Sequence, residues 1–588
     1  MLKFPSNIHS VRDLYYGKDP ILDAWILNFM TENDLEPLAN PEDNASPEQI
    51  KFMVDLEEDQ VFAPCTDWLL LNLLKGELSK DLKKEYLYTW KRLVLLLNAM
   101  PLDDYVRKKL VNLWRYKFQQ AYKNMILIPT RLAKRLITIL LSQCVVHDPY
   151  EVRKQWFNQQ AFDFVNSEQF RKIVDICPAE KMTCQSLGDL RWELDMFELS
   201  RLFYLSQMDS IWTKGEFNKK YDFELKEYAL EFKKFRFALE KMMGEDRSRS
   251  LKILYLPDSA GGLIIDLLIV NVLLRLGCKV ILSFKKGFYF DYPTFWDMDN
   301  DLVLQKVLKK AYFISNNKIS KKDLLYKLKE HDLVVISDGT RERLNLCRSS
   351  VTFARSWKEC DFIIAKGYGN YRRLILTSHL FTRDIVVCYR DKNGKVCFEY
   401  KEKSPKVRKI TENEIIAKAE EIKEEMRKAH ASGQKVMFYS AIVGSIPGQT
   451  QTAIKVLNTF VNYLRSKLEG TFIINPAEHF EPGMDGDDLM YMWEMVQRSG
   501  LIDIWRFQTV EDIEKSFELM GQKVPPVWAG KDATFSTGCT KEMQIALEEQ
   551  KKYPEMQIIG PSPDKFFRRK EYGVGKYFDA SLIKLVNG

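Results

Sequence analysis

The chain has 588 residues, 46% hydrophobic and 29% charged, enough apolar content for two to four folded domains and too much for a disordered polyelectrolyte. A formal net charge of +7 spread over that length argues against a nucleic-acid-binding protein, which gathers its basic residues on one face. No apolar run reaches the roughly 18 residues of a membrane span, because "LIIDLLIVNVLLRL" is broken by Asp266, Asn271 and Arg275.

The opening stretch "MLKFPSNIHSVRDLYYGKDP" lacks the charged-then-apolar layout of a signal peptide. The ten cysteines form no CxxC pair and the six histidines no HExxH spacing. A reduced, cytoplasmic protein without a histidine-rich zinc site is expected. Residues 1 to 245 read as a helical domain. "DWLLLNLLKGEL", "YTWKRLVLLLNAM", "RLAKRLITILLSQCVV" and "WELDMFELSRLFYLSQM" repeat apolar residues every three or four positions, and Pro falls between such segments.

From Leu251 the period changes. The runs "LKILYL", "KVILSF", "DLVVIS", "DFIIAKG", "DIVVCYR" and "KVCFEYK" alternate with helical stretches, one of them over "DLVLQKVLKKAYF". This predicts a mostly parallel, three-layer α/β domain over 246–405. Asn393-Gly394 turns the last two runs into a hairpin. A charged helical linker is expected over 406–432. "KVMFYSAI", "GTFIINPA", "IDIWRF" and "MQIIGP" predict a second α/β domain over 433–588.

In parallel sheets the loops beyond the strand C-termini form the ligand crevice. "PDSAGG" lies at such an end and leads into an apolar helix. A helix N-terminus favours anions, yet Asp258 adds a negative charge there; a divalent cation between carboxylate and phosphate resolves the conflict. The same residues also read as a helix cap and a turn. Two further loops carry related chemistry: "DYPTFWD" supplies Asp291, Thr294 and Asp297, and "KGYGNYRRL" supplies Lys366, Gly367, Gly369, Asn370, Tyr371 and Arg372.

Taken in order, these motifs resemble the metal-dependent damage-control phosphatases, also described as acidic-residue methyltransferase-like proteins, over residues 250 to 400. That family carries Asp-Asn-Ala-Gly-Glu after a strand and an Asp four residues beyond the Glu; Asp258, Ala260, Gly261 and Asp266 match. Its Asp-then-Thr-then-Asp signature is met by Asp291, Thr294 and Asp297, with one extra residue after Asp291. Its Lys-Gly-x-x-Asn-Tyr-like loop is met by "KGYGNY". Its Arg-Thr-Lys-type motif is met by Arg390 and Lys392, with Asp391 in place of Thr. Ser259 stands where the family has Asn and Gly262 where it has Glu.

The resemblance implies hydrolysis of small, sugar-phosphate-like metabolites with Mn²⁺, Co²⁺, Ni²⁺ or Mg²⁺. Asp258, Ser259 and Asp291 would hold the metal. Lys392 would neutralise the phosphoryl charge, with Gly367, Gly369, Asn370, Tyr371 and Arg390 binding substrate. Asp266, Thr294 and Asp297 would support them. The departures at Ser259, Gly262 and Asp391 favour an alternative, a regulatory protein that binds metal or phosphate without turnover. A further alternative is the S-adenosylmethionine-dependent carboxyl methyltransferase activity also attached to the family.

The last region belongs to no family we can name. Gly444 and Gly448 lie between a strand and a helix but lack the Gly-Lys-Ser/Thr ending of a P-loop. Glu478, His479, Glu481, Asp485, Asp487 and Asp488 read as loop and helix-start acids or a metal site. Cys539 precedes a helix, where a thiolate is favoured, but with no base partner evident a structural cysteine is expected. "KFFRRKEYGVGKYF" is basic and aromatic, a weak phosphate or nucleic-acid signal.

Overall fold

The structure is a computed structural model that describes residues 8–36, 43–76, 79–144, 146–175, 184–219, 225–244, 247, 249–446, 448–481 and 483–571. Met1–Lys406 forms one compact unit and Val407–Gly588 a second. The part of the basic-aromatic segment from 572 onward lies outside the described residues.

The first unit begins with helices whose ends follow local chemistry. Thr66, Ser79 and Asp103 cap Asp67–Lys75, Lys80–Ala99 and Asp104–Asn124 by accepting backbone N–H bonds in the first turn. Seven strands follow: β1 Lys252–Leu256, β2 Lys279–Phe284, β3 Tyr312–Ile314, β4 Leu333–Ser337, β5 Phe362–Lys366, β6 Asp384–Arg390 and β7 Val396–Lys401. Their order is β3-β4-β2-β1-β5-β6-β7. All neighbours are parallel except β6 and β7, the hairpin expected from Asn393-Gly394. β3 was not expected. The helix read through "DLVLQKVLKKAYF" stops at Val307, and Tyr312–Ile314 forms an edge strand too short to show a two-residue period.

Alternate strand residues face opposite layers. Ile253, Tyr255, Val280 and Leu282 join one core with the helices Glu151–Val165, Leu187–Leu205, Leu225–Met243 and Gly262–Arg275. Leu254, Leu256, Ile281 and Ile363 join another with the helices Lys321–Glu330 and Val351–Glu359 and the segment around Ile50–Phe62. The N-terminal helices thus cover the sheet and share its core. β1 runs first toward β2, and β5 lies on its other side, so the chain reverses direction between β1 and β5. Ligands of open α/β sheets bind at such a switch point.

The second unit opens with the charged helix Glu412–Ala431. Thr411 and Glu414 form its capping box, and Ile415, Ala419, Ile422 and Met426 are buried in that unit's core. Its sheet has four parallel strands, β8 Lys435–Ser440, β9 Thr471–Ile474, β10 Ile504–Phe507 and β11 Gln557–Ile559, in the order β11-β10-β8-β9. No helix among the described residues is long and apolar enough to cross a membrane.

Candidate active site at the switch point of the first sheet

β1 ends at Leu256 and delivers Asp258 to the crevice beside β5. The carboxylate side chain is 24% exposed. It is not the cap of the helix that follows. That N-cap is Gly261, at φ 78°, whose N–H donates to Asn158 Oδ1 at 2.6 Å. Two glycines are demanded by close approach. A Cβ on Gly261 would come 2.4 Å from Trp212, and one on Gly367 would come 2.1 Å from Asp258 Oδ2. Gly367 therefore lets the β5 loop lie against the Asp258 carboxylate.

Beneath Asp258 lies a buried charge pair. Lys366 Nζ is 2.6 Å from Asp266 Oδ1 and 3.8 Å from Asp258 Oδ1, and it donates to the Ser206 carbonyl at 3.2 Å. Tyr255 donates to Asp266 at 3.0 Å. Complete burial pushes the Asp266 carboxyl up to about 6, against the pull of the Lys366 ammonium. Burial also works against the Lys366 charge, but Asp266 and Asp258 outweigh it and hold that ammonium above the ordinary lysine value. Asp266 is thus the brace of Lys366, and Lys366 is the cation that faces Asp258.

The loop after β2 supplies Asp291. Ala260 N–H donates to the Asp291 carbonyl at 2.7 Å, which pins this loop to the one carrying Asp258 and Ser259. Asp291 is 32% exposed, and Arg153 Nε lies 3.0 Å from its Oδ1. The preceding Phe290 holds φ at 54°, a left-handed conformation that strains a bulky residue. The Arg92 guanidinium lies over its ring at 3.7 Å. Thr294 and Asp297 are bound to each other, the Thr294 N–H donating to Asp297 Oδ2 at 2.8 Å, and Lys154 adds bonds to both Asp297 oxygens at 2.5 and 2.7 Å. That pair braces the loop and forms the floor of a neighbouring cavity of about 720 Å³, which neither Asp258 nor Asp291 lines.

In the third loop, Asn370 donates to the Lys366 carbonyl at 2.8 Å, which shapes the start of the helix Gly367–Leu374. A Cβ on Gly369 would meet the Tyr292 hydroxyl at 2.6 Å and Arg343 Nε at 3.2 Å. Tyr371 stacks on Tyr389 with ring centroids 3.8 Å apart. The described contacts bring neither Arg390 nor Lys392 to Asp258. Arg390 pairs with Asp209 at 3.0 Å and donates to the Gly394 carbonyl, and Lys392 belongs to the turn of the β6–β7 hairpin.

Several residues of this site carry no motif. Asn158 accepts from Gly261 and donates to Asp301 Oδ2 at 2.7 Å, joining the β1 and β2 loops. Lys154, Asn158, Ala161 and Phe164 share the buried face of the helix Glu151–Val165. A lysine and an asparagine at apolar-phase positions of a helix were the available signal. Trp212 fills the space beside Gly262.

The chemistry of this donor set suits a divalent cation, although Asp291 is paired with Arg153. Two part-exposed carboxylates and the Ser259 hydroxyl offer only oxygen, the choice of hard cations. Asp258 has no close ion-pair partner because Lys366 is drawn to Asp266. Among the described residues no three His, Cys, Asp or Glu side chains gather as a metal cluster, so serine is needed to complete the set.

In the second unit, the loop and helix-start acids serve local structure. Asp485 and Asp488 form a capping box on Gly486–Gln497, and Glu478 pairs with Arg465 at 2.8 Å. Cys539 is a structural cysteine, the reading that the missing base partner favours. Burial drives its thiol well above the ordinary value, and the thiol donates to the Ala441 carbonyl at 3.3 Å.

A family model, the damage-control phosphatase ARMT1-like domain, matches residues 107–418. Among solved structures, a DUF89 family protein from Pyrococcus horikoshii aligns at 17% identity and a TM-score of 0.35, over 53% of this chain and 90% of its own. No curated protein matches.

Proposed function

The chain belongs to the damage-control phosphatase ARMT1-like family, a family of metal-dependent hydrolases, and from that premise we propose that it hydrolyses a small phosphorylated metabolite at the β1–β5 switch point. The observation that supports this reading is the close approach of Gly367 to Asp258, which sets the N-terminal end of the helix Gly367–Leu374 against the carboxylate proposed to hold the cation. Asp258, Ser259 and Asp291 would hold the cation, with Mg²⁺ or Mn²⁺ best suited to oxygen ligands and Co²⁺ or Ni²⁺ as substitutes. When bound, such a cation supplies charge that polarises the phosphoryl group and lowers the pKa of water at the site.

The chain's own groups do the rest. The N-terminus of Gly367–Leu374 presents N–H donors to phosphate oxygens. Arg153 places a guanidinium at the Asp291 carboxylate, where it balances that charge and the charge of an arriving phosphoryl group. Asp266 positions Lys366, which sets a fixed positive charge behind Asp258. Arg390 and Lys392 lie at the hairpin rim, where they meet the outer part of a substrate.

The test is phosphate release from a sugar-phosphate panel by the full chain, with each divalent ion and after chelation. Metal-dependent release is expected, falling about 100-fold or more in Asp258→Ala, at an unchanged melting temperature. Equal rates in wild type and variant, or no effect of chelation, refute the reading. A second reading rests on Gly262. The space a glutamate would need there is taken by Trp212 and Ser259, whose atoms lie 3.3 and 2.8 Å from where its Cβ would stand. Calorimetric metal binding without phosphate release would select a binding protein instead.

A further inference from the structure

Arg343 is a cation of this region with no carboxylate in ion-pair contact among the described residues; Glu85, the acid nearest in the same cavity, is taken by Arg372. Its neighbours have partners: Arg372 reaches both Glu85 oxygens at 2.8 and 2.9 Å, Arg131 reaches Glu342 at 2.5 Å, and Lys285 reaches Asp338 at 2.5 Å. Arg373 has a neutral partner, the Thr130 hydroxyl at 2.7 Å. Arg343 makes no hydrogen bond or ion pair among the described residues, and its Nε is shielded from solvent. Burial and the Arg343 charge bring the Arg373 guanidinium down to about 10. Three guanidinium groups, Arg343, Arg372 and Arg373, thus line a small cavity whose carboxylate, Glu85, is held by Arg372, and an incoming anion would balance the remaining positive charge.

The cluster adjoins the reaction site. Arg343 Nε lies 3.2 Å from the place of a Gly369 Cβ, and Gly367 two residues earlier lies against Asp258. Helical rise separates those two glycines by about 3 Å along the axis. Tyr292 stands between the two centres. Burial raises its hydroxyl to about 12, Arg343 opposes that, and Asp258 adds to it. The cavity beside Arg343, lined also by Glu85, Thr130, Arg372 and Arg373, is about 20 Å³. It has room for an oxygen or two, and a planar guanidinium matches a planar carboxylate.

We propose that Arg343, backed by Arg373, binds a carboxylate on the substrate remote from the transferred phosphoryl group, so that phosphorylated sugar acids are preferred over neutral sugar phosphates. This rests on the phosphatase reading and narrows its substrate class. Arg343 is a specificity residue here; hydrolysis itself does not pass through it.

The experiment compares gluconate 6-phosphate with glucose 6-phosphate for wild type, Arg343→Ala and Arg343→Lys. Wild type should favour the acid in kcat/KM by about tenfold or more, the scale of one charged hydrogen bond. Arg343→Ala should raise KM for the acid by about 10- to 100-fold, with kcat little changed and KM for the neutral ester within about threefold. Arg343→Lys should recover part of the loss. Equal losses on both esters, no preference in wild type, or a stronger preference for fructose 1,6-bisphosphate than for the acid overturn the proposal. If Arg343→Ala does not fold, Arg343→Gln takes its place; if neither folds, the residue is structural and the proposal falls. If wild type hydrolyses neither ester with any divalent ion, the phosphatase reading fails on its own. Calorimetry then decides the present proposal: weaker binding of gluconate 6-phosphate alone in the variant supports it, and equal weakening of both refutes it.

Discussion

The two units solve one architectural problem in opposite ways. Each has an open parallel sheet with a switch point, between β1 and β5 in the first and between β8 and β10 in the second. The first lines its crevice with charge: Asp258, Lys366 and Asp266, with Asp258 open to solvent. The second fills its crevice largely with neutral bonds, beside an ion pair of Arg506 with Asp512 at 2.7 Å. Trp505 Nε1 donates to Ser440 Oγ at 2.9 Å, Gln508 Oε1 accepts from Ile442 N–H at 3.0 Å, and the Cys539 thiol donates to Ala441. A further carboxyl there, Glu542, is pushed up by burial and accepts from Gln497 at 3.0 Å, with no cation beside it. A shared topology therefore offers a place for a ligand, and only the side chains at the strand ends decide whether chemistry is built there.

The contrast can be broken first at its glycines. Gly367→Ala should abolish phosphate release, by about 100-fold or more, because its Cβ would land on Asp258. Gly448→Ala in the second unit meets open space and should cost only the left-handed backbone penalty of about 1–2 kcal/mol, read by denaturant unfolding. Next come the buried ionisable groups. Lys366→Met should destabilise the first unit by about 3–5 kcal/mol, since it strands Asp266. Glu542→Gln should change stability by less than about 1 kcal/mol, because the amide oxygen can still accept from Gln497 and burial already works against the carboxylate charge.

A pH series sharpens the same point. The folded-state value of Asp266 is raised, so its contribution to stability is fully present below the unfolded value near 4 and is lost as pH rises through about 6. The stability of wild type relative to Asp266→Asn should accordingly fall between pH 4 and 7. A difference that grows with pH would contradict the burial argument. The smallest effect is expected at Cys539, which should resist alkylation at neutral pH in the folded protein and react only on unfolding, as followed by mass spectrometry.

The strands of both sheets were legible in the sequence because central parallel strands are buried on both faces and read as continuous apolar runs. β3 escaped because Tyr312–Ile314 is an edge strand of 3 residues that follows a helical apolar phase. At the site, the loops at strand ends announced Asp258, Asp291 and Gly367, since each lies within a few residues of a visible strand. Arg153, Asn158, Trp212 and Arg343 were not legible. They reach the crevice from helices and loops far along the chain, and nothing in a local window says which buried polar residue will meet which strand end. Arg390 lies against Asp209 and the Gly394 carbonyl, contacts that a motif near a strand end does not specify.

Asn158 carries a consequence for how this chain can change over generations. One amide holds the N–H of Gly261 and the carboxylate of Asp301, so the loops after β1 and β2 share an anchor on one helix in addition to their direct Ala260–Asp291 bond. Lengthening either loop alone would pull it off that common anchor. Inherited insertions should therefore be better tolerated in the β6–β7 turn, whose ties to Asp209 and Glu231 come from charged, part-exposed side chains, and purged from the two loops unless both are altered together.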